Sequence, residues 1–302
     1  MPAGPDDLPE AAGRRFASSA FSSGLSVPDF AACLEMGLEP VGYVQGFCVM
    51  QWGFYSMGSR LGVGGGIGLG GAQQGYVQSY QCPHGVMMGG GEHRAWGQNY
   101  QQWWVEQAWQ QGYSSARERM LDEARAAGAH GIIGVVDAST PLSDLGVLEF
   151  HTRGTAVKVI GTGPPPDEIP WTTYLAGQRL ARVIDAGYMP ISIVGSISSV
   201  QVWAYCMTQL LMGGVGTMWS PSADSQDVVQ ISEARSAARR MARDAIRGQL
   251  DGDALLGASL DVVERDAERG DQEIQCILRG NRVRRFKDVD PMARPIPTVQ
   301  LR

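Results

Sequence analysis

Apolar residues recur three or four positions apart along two stretches of this chain. Trp109, Tyr113, Ala116, Met120, Ala124 and Ala127 share one helical face, and Val228, Ile231, Ala234, Ala238, Met241 and Ala245 share another. Before each helix stands a run of alternating β-branched and aromatic residues, 41–50 and 191–202, which predicts a strand. Short helical lead-ins at 30–36 and 180–186 precede these runs and stop at Gly37 and Gly187, as helices ending on glycine do. Two strands follow each helix, at 132–137 and 148–160 and again at 255–261 and 274–286. In 148–160 the apolar frame shifts after Gly154, and the partner stretch shifts at Gly280, which predicts a bulge at each glycine. The unit reads β-α-β-β. The expected class is α+β, with a small antiparallel sheet packed on one long helix, twice over.

The two stretches correspond residue by residue. Gly37, Pro40, Val44 and Gln51 meet Gly187, Pro190, Val194 and Gln201 at an offset of 150. Arg119, Met120 and Ala124 meet Arg240, Met241 and Ala245 at 121, and Ile132-Ile133-Gly134 meets Leu255-Leu256-Gly257 at 123. Arg153, Gly154 and Val157 meet Arg279, Gly280 and Val283 at 126. Four collinear blocks predict a tandem duplication, with extra residues in the first copy. The organisation expected is a tail at 1–24, a first repeat at 25–160 carrying a glycine-rich insert at 58–97, a linker at 161–170, a second repeat at 171–287 and a tail at 288–302. The linker contains Pro164-Pro165-Pro166, a stiff spacer expected to separate the copies and stack them.

Residues 116–140 (a helix ending Glu123-Ala124, then Gly128-Ala129, then a strand Ile132-Ile133-Gly134-Val135) and the closing Gly154-Thr155-Ala156-Val157 resemble the YbjQ-like family, whose label is heavy-metal-binding. Residues 25–46 also look like the opening of longer bacterial relatives. The second copy departs from the pattern, with Gly280-Asn281-Arg282-Val283 in place of the closing motif. The resemblance implies a dodecin-like subunit in a family whose small members form pentameric rings, and it implies little about chemistry.

Composition narrows the function classes. The chain has 302 residues, 44% of them hydrophobic, and a formal charge of −6, which argues against nucleic acid as a partner. The first residues carry neither a basic nor an apolar leader, and no run of about 18 apolar residues marks a membrane helix. Five widely spaced cysteines, Cys33, Cys48, Cys82, Cys206 and Cys276, read as reduced thiols, so the expected location is cytoplasmic.

Forty glycines make about 13% of the chain, roughly twice the usual share, and 14 of them fall in 58–97. Gly66, Gly68 and Gly71 fit a G-x-G-x-x-G spacing, but no helix opens behind them and no acidic residue follows about 20 positions on, so a dinucleotide loop is rejected. Cys82, His84 and His93, with Met87 or Met88, offer thiolate, imidazole and thioether donors suited to Cu(I) or zinc, although neither C-x-x-C nor H-x-x-x-H is present. An apolar loop packing those side chains is the competing and favoured reading, and no cofactor is expected. The insert and its flanks are rich in aromatics, and Trp96, Trp103, Trp104, Trp109 and Trp219 are candidate contacts between subunits. Membrane contact or a pore through the inserts is the less favoured alternative, because the alternation of lipid-facing strands is poor.

Catalysis finds no support: no local motif supplies a nucleophile with its base. Asp137 and Asp261 read as turn caps at the ends of equivalent strands. Arg117, Arg119, Asp122, Glu123 and Arg125 read as a solvated face with local ion pairs. The expectation is a non-enzymatic homo-oligomeric ring, a pentamer by the resemblance.

Overall fold

The computed structural model describes residues 22–51, 76–79, 98–143, 147–161, 170–203, 229–266 and 272–288. Along the chain run α1 (Val27–Glu35), β1 (Leu38–Gln51), β2 (Val77–Ser79), β3 (Gln98–Gln101), α2 (Trp103–Ala126), β4 (Gly131–Ser143) and β5 (Val147–Val159). Then come β6 (Trp171–Thr172), α3 (Gly177–Asp185), β7 (Tyr188–Trp203), α4 (Val229–Gln249), β8 (Ala254–Asp266) and β9 (Gln272–Arg285). The described residues are thus mixed α and β, with four helices and two small sheets. No described helix is long and apolar enough to cross a membrane.

The first sheet has the order β1-β5-β4-β6 and the second β2-β3-β7-β9-β8. The trios β1-β5-β4 and β7-β9-β8 are antiparallel and share their irregularities. The register slips between Pro40 and Gly42 on β1 and between Pro190 and Ser192 on β7. It slips again between Ile133 and Val136 on β4 and between Leu256 and Ser259 on β8. Gly134 and Gly257 both sit at φ +60, so the bulges lie on these glycines, where a left-handed residue is required. Gly154 and Gly280, on the neighbouring strands, are not bulged.

The apolar frame shift after Gly154 has another cause. Ala156 faces α2 together with Val44, Met120 and Ile132, whereas Val157 faces the other side together with Cys33, Leu38, Trp171 and Leu180. The end of β5 is buried on both faces, so alternation stops without any change of register.

Helix α2 lies across the first sheet. A Cβ at Gly46 would strike the Ala116 carbonyl oxygen and lie 2.7 Å from the Met120 nitrogen, so β1 passes in contact with the helix backbone. In the second sheet Ser196 and Ser198 face α4 and donate their hydroxyls to the carbonyls of Ala242 (2.8 Å) and Ala238 (2.5 Å). Ala234, Ala238, Ala242 and Ile246 are buried there, while Met241 is half-buried and Ala245 exposed. Burial therefore matches Ala116, Met120 and Ala124 with Ala238, Ala242 and Ile246, one position away from the match of Met120 with Met241. The turn after α4, with Asp251 and Gly252 at positive φ, absorbs that extra residue.

The side of the second sheet away from α4 receives α2. Ile193 joins Met120 and Ala124 in one cluster, and Ile197 joins Trp109, Tyr113 and Phe150 in another. The layers are therefore first sheet, α2, second sheet, α4. The halves are in contact, and residues 171 and 172, which follow the proline-rich stretch, pair with the edge of β4.

An acid-sensitive clamp closes the second sheet at the start of β8. Asp253 takes bonds from Arg282 Nε (2.6 Å) and Arg284 Nε (3.0 Å). Arg284 first, and then Arg282, hold its carboxyl below the ordinary 3.8 against the opposing effect of desolvation. A lowered folded-state pKa stabilises fully above the unfolded value, and that stability is lost as pH falls through the folded value. Thermal midpoints of Asp253→Asn are expected to lie below the parent's at pH 7 and to converge with them below about pH 4. A constant gap across pH 3–7 would show that the clamp is not electrostatic.

Candidate assembly interface

The junction of the two halves starts with residues 171–175. Trp171 N donates to His130 O (3.1 Å) and Thr173 N to Ile132 O (3.0 Å). In return Gly134 N donates to Leu175 O (2.9 Å) and Val135 N to Thr173 O (3.0 Å), so the bulged part of β4 gains a parallel partner. Trp171 is fully buried, its indole lying over Gly131 where any Cβ would collide. The same segment grips the second sheet. Thr172 Oγ1 accepts from Ile193 N (3.0 Å), and Asn281 Oδ1 accepts from Thr173 Oγ1 and Tyr174 N (both 2.8 Å).

The flank of α2 makes the second part of the junction. Glu106 Oε1 accepts from Ser199 N (3.0 Å) and Gln110 Nε2 donates to Gly195 O (3.1 Å). Burial raises the Glu106 carboxyl, against the bonds from Ser199 and Gln101. Two turns on, Arg117 Nη2 meets Asp137 Oδ2 at 2.5 Å, with the arginine side chain 19% exposed and the aspartate 0%. Tyr174 OH donates to the same carboxylate oxygen (2.6 Å), and Thr152 Oγ1 donates to the other (2.9 Å). Burial pushes the Tyr174 phenol up, Asp137 adds to that and Arg117 opposes it, so the phenol keeps its proton and stays a donor. Burial disfavours the Arg117 charge, but Asp137 and the two tyrosines turn the net shift upward. Arg279, from β9, lies over Trp109 and Tyr113 at 6.0 and 5.7 Å from their centroids.

These groups are committed to one another, and the chemistry of the cluster is cohesion. A shallow hollow of about 380 Å³ beside it is lined by Gln110, Ser114, Arg117, Glu118 and Leu121. Among the described residues no group of three or more His, Cys, Asp or Glu could hold a metal ion.

The sequence-derived candidates distribute unevenly. Cys82, His84, Met87, Met88, His93, Trp96 and Trp219 lie outside the described residues. Trp103 is 43% exposed and packs edge-on to Trp104 at 6.0 Å. Trp109 is 4% exposed and enclosed by its own chain, so its surface is spent inside the molecule rather than between subunits. His130 Nδ1 accepts from Val159 N (3.0 Å), and His151 is a strand residue stacked on Phe47 with centroids 4.1 Å apart.

Asp137 is no turn cap. It lies within β4, facing α2, whereas Asp261 lies one register position away in β8 and is exposed. A single step along a strand reverses the face. Nor is α2 simply a solvated helix. Glu123 is buried and accepts from Gln45 N (2.8 Å), and Arg119 donates to the Phe47 carbonyl, so both cover the free edge of β1. Asp122 and Arg125 form the expected local pair.

The residues that sequence reasoning missed are Trp171, Tyr174, Asn281 and the Arg117–Asp137 pair. A signal for the segment existed, because Trp171-Thr172-Thr173-Tyr174-Leu175 stands 150 positions after Phe21-Ser22-Ser23-Gly24-Leu25.

The chain is similar to the encapsulin nanocompartment protein Rv1762c of Mycobacterium tuberculosis. The two are 32% identical over 155 residues, which is 50% of this chain and 45% of the relative. The match thus spans less than half of the relative's length. No protein-family model matches the chain, and no solved structure matches it. The resemblance to the YbjQ-like family is therefore corrected: the similarity that is found is to the encapsulin nanocompartment protein, over half of this chain, and the heavy-metal-binding label has no support.

Proposed function

We propose that this chain is a non-enzymatic structural protein that assembles with copies of itself, as part of a shell or ring. The observation that carries the reading is the junction at residues 171–175, a strand-edge and helix-flank contact that each half has the parts to make. The relative's name as a nanocompartment protein supports the same reading. The shared strand order and bulges further support descent of both halves from one duplicated unit, with the first repeat at 25–160 and the second at 171–287. The pentamer and the contribution of Trp103 and Trp104 to subunit contacts are finer proposals within this reading; a Cu(I) or zinc site at Cys82, His84 and His93 is the less favoured alternative to it.

Native mass spectrometry is expected to find an integral multiple of the 32.5 kDa chain. A 32.5 kDa species alone, at micromolar concentrations and above, would overturn the assembly reading.

A further inference from the structure

The junction inside the chain has two sides, and the chain carries one unused copy of each. On one side, Gly131, Ile132 and Val135 are buried on the stretch of β4 whose edge residues 171–175 pair with, whereas their counterparts Ala254 and Ala258 on β8 are exposed and Leu255 is half-buried. Among the described residues β8 pairs only with β9. The two bulge glycines make the difference local. A Cβ on Gly134 would meet Leu25 Cδ2 at 3.7 Å and Ala176 Cβ at 3.2 Å. On Gly257 it would meet Leu175 Cδ2, also at 3.7 Å, and the side-chain amide nitrogen of Asn281 on the paired strand at 3.1 Å, but no residue corresponding to Ala176. By the offset of 150 that missing group is Ser26, and Ser22–Leu25 stand where Thr172–Leu175 stand.

The other side repeats the contrast. Ile197 and Ser199, on the face of the second sheet that α2 covers, are 4% and 0% exposed. Their counterparts on the first sheet, Phe47 and Val49, are 39% and 57% exposed, beside Val136 at 47%. The flank that would cover them belongs to α4. On the second sheet Trp109, Tyr113 and Glu106 of α2 meet Ile197 and Ser199. Further along the same flank Arg117 comes within 3.4 Å of the Cβ position of Gly195, while Leu121 packs by Ile193. By the burial match of the helices, Arg117 and Leu121 correspond to Arg239 and Arg243, both exposed.

We infer that a second copy of this chain docks head to tail. Its Ser22–Ser26 segment adds to the free edge of β8, and the α4 flank around Arg239 and Arg243 covers its Phe47–Val49 face. This rests on the self-assembly reading and names the surfaces. The occupant is another copy because one chain holds both complementary halves, each already seen engaged with its partner at residues 171–175 and α2. The contact is heterologous, so copies close into a ring or run on as a filament.

A mixing experiment tests the pairing. Phe47→Asp disables the sheet side, and Arg239→Asp with Arg243→Asp disables the helix side. Each variant alone is expected at 32.5 kDa, and a 1:1 mixture at twice that mass, because one intact junction remains between unlike chains. In the parent, the amides of Gly257 and Ala258 are expected to exchange slowly, and in either variant alone quickly. Circular dichroism and urea midpoints matching the parent establish that the variants fold, and Val49→Asp replaces Phe47→Asp if that one does not. If the parent assembles but the single variants keep its mass, or their mixture yields no doubled species, the pairing is overturned while self-assembly stands. A parent at 32.5 kDa overturns both.

Discussion

Asp137→Ala is expected to lower the stability of the chain by about 3–5 kcal/mol, the range for breaking a buried ion pair by removing one partner. The size follows from what is left behind. Arg117 loses its 2.5 Å carboxylate in a site where the aspartate is 0% exposed, and Tyr174 OH and Thr152 Oγ1 lose their acceptor. A urea titration should show the midpoint falling with the slope unchanged, since the folded state keeps its size. The double change Arg117→Met with Asp137→Leu should recover only the part due to the uncompensated Arg117 charge, because Tyr174 OH and Thr152 Oγ1 still lack their acceptor. If Asp137→Ala unfolds with the parent, the pair contributes nothing and the junction depends on its apolar clusters alone.

Trp171→Ala is expected to cost a further class of energy, about 3–5 kcal/mol for emptying a large, fully buried aromatic site. Trp171 is 0% exposed and seals the cluster of Cys33, Leu38, Ile133, Val157 and Leu180. The loss should also be directional. Hydrogen exchange should speed up at Gly134 and Val135, whose amides donate to the segment behind Trp171, while the core of Val200, Ile274 and Ala238 keeps its protection. Uniform acceleration would mean that both halves unfold as one unit. An unchanged urea midpoint would remove Trp171 from the set of residues that hold the junction.

Much of the fold was legible because it is local. The helix stops at Gly37 and Gly187 appear as positive-φ glycines at 72° and 83°. The strands expected at 132–137 and 255–261 are present and extend to Ser143 and Asp266. They run on because their later residues pair with β5 and β9 without needing an apolar code of their own. The bulges fell on Gly134 and Gly257 rather than on Gly154 and Gly280, because a two-sided core and a slipped register disturb alternation in the same way. The candidate interface was legible only in part. Trp109 advertised aromatic surface, but whether that surface meets its own chain or another depends on which face of α2 the second sheet occupies.

By itself, then, the sequence determined the order and type of the long helices and of the strands β1, β4, β5, β7, β8 and β9, and the buried face of α2, all of which follow from periods of two and 3.6 residues and from glycine at left-handed positions. Only the tertiary structure decided that Asp137 is buried and Asp261 exposed, that α2 serves two sheets, and that 171–175 belongs to both halves. Those outcomes turn on single-residue shifts of register and on contacts such as Asn281 with Thr173, 108 residues apart, which no local pattern encodes.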